Sequence, residues 1–169
     1  MKSTKETWID GYNFFHNWTS TADMLKNKDG DTPKFIEAMD GAVEKLTDIL
    51  SLTTGKVILF QDGGERRKIE KRSELAVRYA GPGAKADDVI LHYLSSCKKP
   101  GEVCVVTDDL DLSMQAKSLG AVVIKCKTFI KNIEREARLS TQSNPEAIKR
   151  NPQKLTKKEL KDWEEFFNK

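Results

Sequence analysis

The sequence predicts an α/β domain in which a parallel sheet of about five strands carries helices on both faces. Five short segments are almost continuously apolar, which is typical of strands buried on both faces of a parallel sheet. Segments whose apolar residues are spaced three and four apart lie between these strands. Strands that alternate with helices favour right-handed crossovers within one sheet.

The predicted strands span residues 7–10, 56–61, 75–80, 102–107 and 121–126. The clearest helix begins at Thr32-Pro33, because a cap residue followed by proline is a common helix start, and it ends before Gly55. Its apolar residues share one face: Phe35, Ile36, Met39, Val43, Leu46, Ile49 and Leu50. Three further helices are predicted over residues 85–97, 109–119 and 128–139.

The chain changes character after residue 139. Residues 140–153 are polar, contain two prolines and are predicted to form a linker. A last helix is expected next, because Thr156 and Glu159 form a capping-box pattern. Its apolar stripe would dock on the domain or form a partner surface: Leu160, Trp163, Phe166 and Phe167. We therefore predict one folded domain over 1–139 and a linker with a C-terminal helical tail over 140–169.

Composition limits the class of protein. With 169 residues, 38% hydrophobic and 33% charged, the chain has the profile of one soluble domain. No apolar run approaches the roughly 18 residues of a membrane helix, and the N-terminus lacks a signal-peptide core, so a cytoplasmic location is expected. Three cysteines without CxxC spacing and only two histidines disfavour zinc, so aspartates must hold any metal.

Aspartates stand at the edges of the predicted strands. Asp10, Asp62 and Asp109 each follow a strand, and Asp87-Asp88 open the helix after the third strand. Ligands bind beyond the carboxyl ends of such strands, so these acids are expected to meet at one edge. Carboxylates are the ligands that Mg²⁺ and Mn²⁺ prefer, and one or two such ions support phosphodiester hydrolysis. Crowding would also raise some carboxylate pKa values.

The alternative interpretation of each acid alone is structural. Aspartates are common at strand ends and helix caps. Asp87 could cap its own helix, and Asp108 could cap the helix after the fourth strand. Several acids at the same edge of the sheet favour a shared function instead.

Basic residues are concentrated in two segments. Residues 65–72 hold five bases and two acids, and residues 149–169 hold seven bases and four acids, in a chain of net charge +3. Solvated surface is the simple explanation. Beside an acidic site, however, such clusters favour a polyanionic substrate whose phosphates they hold. The candidate contacts after the second strand are Arg66, Arg67, Lys68, Lys71 and Arg72.

Other chemistries have less support. A P-loop motif is missing from the sequence, and Gly81-Pro82-Gly83 lacks the dinucleotide fingerprint. His16 is the only histidine near the predicted edge, where it could contact substrate or assist proton transfer, or simply lie on the surface. A phosphoacceptor domain needs paired acids after the first strand, and Asp10 stands alone there.

Four motifs in order resemble the NYN domain, a PIN-like nuclease family, and most closely its bacterial YacP-like branch. They are WIDGYN, FQDGG, KADDVI and VVTDDLDL followed by LGAVVIK. The first resembles an Asp-Gly-Tyr-Asn signature, the third an Ala-Asp-Asp helix start, and the fourth a Thr/Ser-x-Asp-x-Asp turn. The resemblance covers about residues 7–133. It implies a PIN-like, Rossmann-like sheet and a metal-dependent ribonuclease.

The resemblance also implies roles for individual residues. Asp10 would be the first metal ligand, Asn13 the signature amide and Asp109 the ligand after the fourth strand. Asp88 would be the ligand at the helix start, with Asp87 as its substitute. Asp111 and Asp62 would orient ligands, water or a second ion. The sequence departs from the family pattern at Phe14-Phe15-His16, which is unusually aromatic. These aromatic rings could stack an RNA base or pack in the core.

The sequence thus predicts an endoribonuclease that uses Mg²⁺ or Mn²⁺ to cut single-stranded RNA, with mRNA or ribosome-associated RNA among the partners. The alternatives are a non-catalytic RNA- or ribosome-binding module, a toxin-type PIN ribonuclease and a DNA flap nuclease. The flap nuclease needs long helical insertions that do not fit in 169 residues.

Overall fold

The central strand of the fold is β1 (Glu6–Asp10), whose neighbours on either side are β2 (Lys56–Gln61) and β5 (Val103–Val106). A computed structural model describes residues 4–26, 33–53, 55–63, 69–72 and 75–143, and only the backbone of 69–72 and of residue 143. Beyond β2 lie β4 (Leu75–Tyr79) and then β3 (Ile69–Arg72), and beyond β5 lies β6 (Val122–Ile124).

The strand pairings confirm the predicted parallel sheet. In the six-stranded order β3-β4-β2-β1-β5-β6, every pair is parallel except β3 with β4. The antiparallel edge strand β3 was not predicted, because the basic segment that contains it has no apolar run. Arg66, Arg67 and Lys68 lie outside the described residues, as do the side chains of Lys71 and Arg72 on β3.

Three predicted helices are confirmed to within a few residues: α3 (Pro33–Leu50), α4 (Ala86–Ser96) and α5 (Leu110–Ser118). The fourth, α6 (Cys126–Ser143), is longer at both ends than predicted. Cys126 was assigned to a strand but begins this helix, because β6 already ends at Ile124. The rest of the predicted linker and the C-terminal helix lie outside the described residues. No helix in the described ranges is long and apolar enough to cross a membrane.

Helices cover both faces of the sheet, as predicted. Successive residues of β1 point to opposite faces, so Trp8 packs in one core and Ile9 in the other. The Ile9 core contains side chains of α3 and α6, and the Trp8 core contains those of α4 and α5. Trp8 and Ile9 are therefore core residues, as expected from the sequence.

Two short helices that the sequence did not reveal follow β1 directly. These are α1 (Gly11–Asn17) and α2 (Thr19–Leu25), and they bury Phe14, Phe15 and Trp18 completely. The Phe14 ring lies 5.8 Å from that of Phe129 on α6. Base stacking by Phe14 or Phe15 is therefore excluded, because neither ring reaches solvent.

Gly11 lies where the backbone of α1 approaches β2 too closely for a side chain. A Cβ atom at this position would lie 2.7 Å from Gln61 Oε1 and 2.9 Å from the Phe60 carbonyl oxygen. We expect Gly11→Ala to lower the free energy of unfolding by about 1–3 kcal/mol, measured by urea denaturation, because the strand must shift. Gly41→Ala is the matched control: its Cβ would meet only the flexible end of Met24. Equal losses for both variants would contradict this account.

Candidate active site

The acidic residues meet at the point where the sheet order reverses. The chain runs outward from β1 to β2 and β4, and then returns to place β5 on the other side of β1. Loops diverge at such a switch point and leave a crevice at the carboxyl ends of the strands. Asp10 ends β1 at this crevice, and residues 107–109 follow β5 beside it.

Asp10 is the buried centre of the group, with 8% of its surface exposed. The pKa of its carboxyl is raised to about 7, chiefly by burial and then by the charges of Asp62, Asp87 and Asp109 in that order. A hydrogen bond from the Asn13 backbone opposes this rise in pKa. Three of the predicted acids, from separate parts of the chain, therefore act electrostatically on a fourth, Asp10.

Asp62 joins the end of β2 to the start of α4. Its Oδ1 accepts a hydrogen bond from the Ala86 backbone N–H at 2.6 Å, so Asp62 caps this helix. The capping role considered for Asp87 thus belongs to Asp62, while Asp87 Oδ1 accepts from the Asp88 backbone N–H. This tie brings Asp87, in the first turn of α4, to the edge where Asp10 lies.

Asp88 has different surroundings from its neighbour Asp87. It lines a cleft of about 540 Å³ together with Arg78, His92 and Tyr93. The Arg78 guanidinium lies over the Tyr93 ring at 4.3 Å in this cleft. Asp88 is not among the charges that raise the pKa of Asp10, whereas Asp87 is.

Asn13 holds the turn that follows β5. Its Oδ1 accepts a hydrogen bond from the Asp108 backbone N–H at 2.7 Å, across the crevice between the first and fifth strands. The Asp109 N–H in turn donates to Thr107 Oγ1 at 3.0 Å. The Asn13 side chain therefore positions this acidic turn, and its oxygen already accepts from the protein.

The two acids of this turn have separate roles. Asp109 Oδ1 accepts from the Leu112 N–H at 2.9 Å and caps α5, while its charge acts on Asp10. Asp108 Oδ1 accepts from the Cys126 N–H at 3.1 Å at the start of α6. The alternative interpretation, in which Asp108 would cap the helix after the fourth predicted strand, is not borne out, because Asp109 occupies that position.

Two further predicted residues lie at the rim of the crevice. Asp111 is exposed in the first turn of α5 and is not among the charges that act on Asp10. His16 is exposed, and its ring lies 4.2 Å from the Tyr12 ring. Partial burial lowers the pKa of His16.

Sequence reasoning left out two residues that border the acids. Gln61 ends β2, and its side chain is buried at the crevice although it is polar. Tyr12 stands in the first turn of α1 with 47% of its surface exposed. A polar residue at the end of an apolar strand is a signal for Gln61, whereas Tyr12 becomes notable only once its exposure is known.

The donor set fits a hard divalent cation. Within the described ranges, no three His, Cys, Asp or Glu side chains already stand in a metal-binding arrangement. The converging groups are nonetheless all carboxylates, which Mg²⁺ and Mn²⁺ prefer. Burial, and then the neighbouring negative charges, raise the pKa of Asp10, and a bound cation would relieve the repulsion from those charges.

A parallel sheet in this order, with aspartates gathered at its switch point, is the arrangement of the PIN-like class of nuclease folds. The family model of the YacP-like NYN domain matches residues 7–168, and the chain belongs to this family. The resemblance found in the motifs is thereby confirmed.

Solved structures agree with this assignment. The chain is similar to Rae1 (YacP) from Bacillus subtilis, with 20% sequence identity and a TM-score of 0.63 over 90% of this chain and 84% of that one. A mutant of the same protein with leucine in place of a tryptophan gives 21% identity and a TM-score of 0.60, over 79% and 77% of the two chains. At this identity the likeness establishes the fold. A search of curated proteins finds no significant match.

Proposed function

We propose that the chain is a divalent-metal-dependent endoribonuclease that hydrolyses single-stranded RNA. The observation that carries this proposal is the convergence of Asp62, Asp87 and Asp109 on the buried Asp10 at the switch point of the sheet. Membership of a PIN-like nuclease family supports RNA as the substrate. The resemblance to this family implies Mg²⁺ or Mn²⁺ as the cofactor.

Asp10, Asp87 and Asp109, assisted by Asp62, would hold the cation. When bound, such a cation supplies an activated water and neutralises charge on the scissile phosphate. The chain itself holds two of these carboxylates in fixed positions. The Ala86 and Leu112 N–H groups donate hydrogen bonds that hold the Asp62 and Asp109 carboxylates, so little rotamer freedom remains to be lost when a ligand binds.

The substrate also needs contacts that overcome the negative charge of the site. We propose that Arg66, Arg67, Lys68, Lys71 and Arg72, with His16 at the rim, contact the RNA backbone. Each phosphate of a single strand that a basic side chain neutralises makes affinity fall more steeply with salt. The logarithm of the binding constant then falls against the logarithm of the salt concentration with a slope of about −0.7 per phosphate. RNA binding measured between low and physiological salt should therefore weaken steeply.

The test is cleavage of a labelled single-stranded RNA by the purified chain in Mn²⁺ and in EDTA. We expect internal cleavage with Mn²⁺ and none with EDTA. Asp23→Asn, an exposed acid on α2, is the matched control and should cut like the unsubstituted chain. RNA binding without any metal-dependent cleavage would contradict the proposal and favour the non-catalytic RNA- or ribosome-binding module.

The neighbours Asp87 and Asp88 give a second, matched test of the site. We expect Asp87→Asn to lower the cleavage rate at least about 100-fold, because its charge acts on Asp10 and belongs to the proposed ligand set. Asp88→Asn should have a much smaller effect, since Asp88 lines the cleft of Arg78 and His92. Single-turnover rates at saturating Mn²⁺ measure both variants. The reverse order would assign the ligand role to Asp88, as the family motif implied.

A further inference from the structure

A second cleft borders the acidic group on the side of α3. Its volume is about 450 Å³, and the residues that shape it are Tyr12, Phe35, Ile36, Met39, Gln61 and Asp62. Asp62 belongs to both places: it lines this cleft, and its charge raises the pKa of Asp10. A molecule bound at the acidic group could therefore extend into the cleft without a break.

The cleft combines apolar walls with a buried amide. Gln61 is only 4% exposed, and its amide lies against Gly11, where any Cβ atom would collide with it. The glycine thus leaves room for the amide that lines the cleft. Hydrogen bonds tie Gly63 to Gly81 and Ala84, at 2.8 and 3.1 Å, and so fix another part of the lining.

Tyr12 stands at the mouth of the cleft, in the first turn of α1 and two residues beyond Asp10. It remains 47% exposed, although the aromatic residues that follow it in α1 are completely buried. The His16 ring supports it at a centroid distance of 4.2 Å. An aromatic ring that is held in place and still open to solvent provides a stacking surface.

We infer that this cleft binds one nucleobase of the RNA next to the scissile phosphate. The inference rests on the proposed function for its substrate. The carboxylates of Asp40 and Asp62 line the cleft, so a phosphate would be repelled and the uncharged base is the part of a nucleotide that can enter. The base would stack on Tyr12, and the Gln61 amide offers it both a donor and an acceptor. A volume of about 450 Å³ is in the range of small-ligand sites.

The inference predicts that binding depends on bases through Tyr12. The full chain in EDTA is titrated with a labelled RNA hexanucleotide and with a hexanucleotide of equal charge in which 1-deoxyribitol replaces every nucleoside. We expect Tyr12→Ala to weaken binding of the normal strand about 5- to 100-fold, the range for loss of one stacked base. Tyr12→Phe should stay within about twofold, because it keeps the ring. Tyr12→Ala should leave binding of the abasic strand unchanged.

Controls separate this inference from the proposed function. Val122→Ala removes an exposed apolar side chain on β6, at the far edge of the sheet, and should bind both strands normally. If Tyr12→Ala weakens both strands equally, or neither, the base site is overturned, whether or not the chain cuts RNA. If base-dependent binding through Tyr12 is found but Mn²⁺ supports no cleavage, the base site stands and the endoribonuclease proposal falls. Failure of the unsubstituted chain to prefer the normal strand also overturns the base site.

Discussion

Replacement of Asp10 by asparagine is expected to abolish RNA cleavage and, at the same time, to make the folded chain more stable. Asparagine has nearly the shape of aspartate and can still accept the hydrogen bond that the Asn13 backbone donates. It carries no charge, so the repulsion from Asp62, Asp87 and Asp109 disappears together with the cost of burying an ion. The cleavage rate should fall at least about 100-fold, because a central ligand is lost.

The stability gain should depend on pH in a defined direction. The pKa of Asp10 rises from 3.8 to about 7 on folding, so the folded state holds its proton more tightly than the unfolded chain. Between these values the folded chain loses stability relative to Asp10→Asn as pH rises, because the unfolded state is already ionised. At 1.36 kcal/mol per pKa unit the full effect is about 4 kcal/mol, and we expect an observed gain of about 2–4 kcal/mol above pH 7. Near pH 4 the gain should be small.

Urea denaturation of both chains at pH 4.5, 6 and 8 in EDTA measures this difference. The control is again Asp23→Asn, whose exposed carboxylate on α2 should leave stability nearly unchanged at each pH. A variant that loses both activity and stability would mean that Asp10 serves the fold. Unchanged activity would remove Asp10 from the chemistry altogether.

A gain in stability on losing function is informative because it distinguishes two reasons for burying a charge. A structural carboxylate is stabilised by its partners, and its removal costs stability. Here the three charges that act on Asp10 are all negative, so the folded chain carries repulsion that serves no structural purpose. Sites that bind cations carry such repulsion when they are empty, which is the physical link between the fold and the proposed chemistry.

The sheet could be predicted from the sequence because buried parallel strands leave a strong apolar signal, as in residues 56–61 and 103–106. Helices α1 and α2 could not, since each has only seven residues and contributes no long amphipathic stripe. They are held instead by the tertiary burial of Phe14, Phe15 and Trp18, and Thr21 Oγ1 donates to the Phe15 carbonyl at 2.7 Å between them. Strand β3 depends in the same way on pairing with β4.

The candidate site was predicted at the level of the sheet edge and not at the level of single side chains. Fold logic alone placed Asp10, Asp62 and Asp109 together, because the carboxyl ends of parallel strands share an edge. It could not choose between Asp87 and Asp88, because these neighbours lie about 100° apart around α4. Burial of Ala86, Ile90 and Leu94 sets the rotation of that helix and so decides which acid faces the site. The sequence also could not show that the Asn13 side chain holds the turn after β5.

Metal binding is expected to compete with the proton on Asp10, and metal affinity should therefore depend strongly on pH. A cation binds the ionised carboxylate, and the pKa of about 7 leaves roughly one tenth of Asp10 ionised at pH 6 and nine tenths at pH 8. The dissociation constant for Mn²⁺ should therefore be about tenfold larger at pH 6 than at pH 8 if one proton is displaced. Titration calorimetry on metal-free chain measures it, and heats of binding in buffers of different ionisation enthalpy should show nearly one proton released per ion at pH 6.

The same competition should appear in thermal unfolding, where a ligand that binds only the folded state raises the midpoint. Mn²⁺ at a fixed concentration should raise the midpoint more at pH 8 than at pH 6, and EDTA should reverse the rise. Asp10→Asn should show neither the shift nor the proton release, while Asp23→Asn should show both. Affinity that does not change between these pH values would place the ion away from Asp10, whose pKa lies in this range. Proton release that persists in Asp10→Asn would assign the displaced proton to another group and would contradict the central role of Asp10.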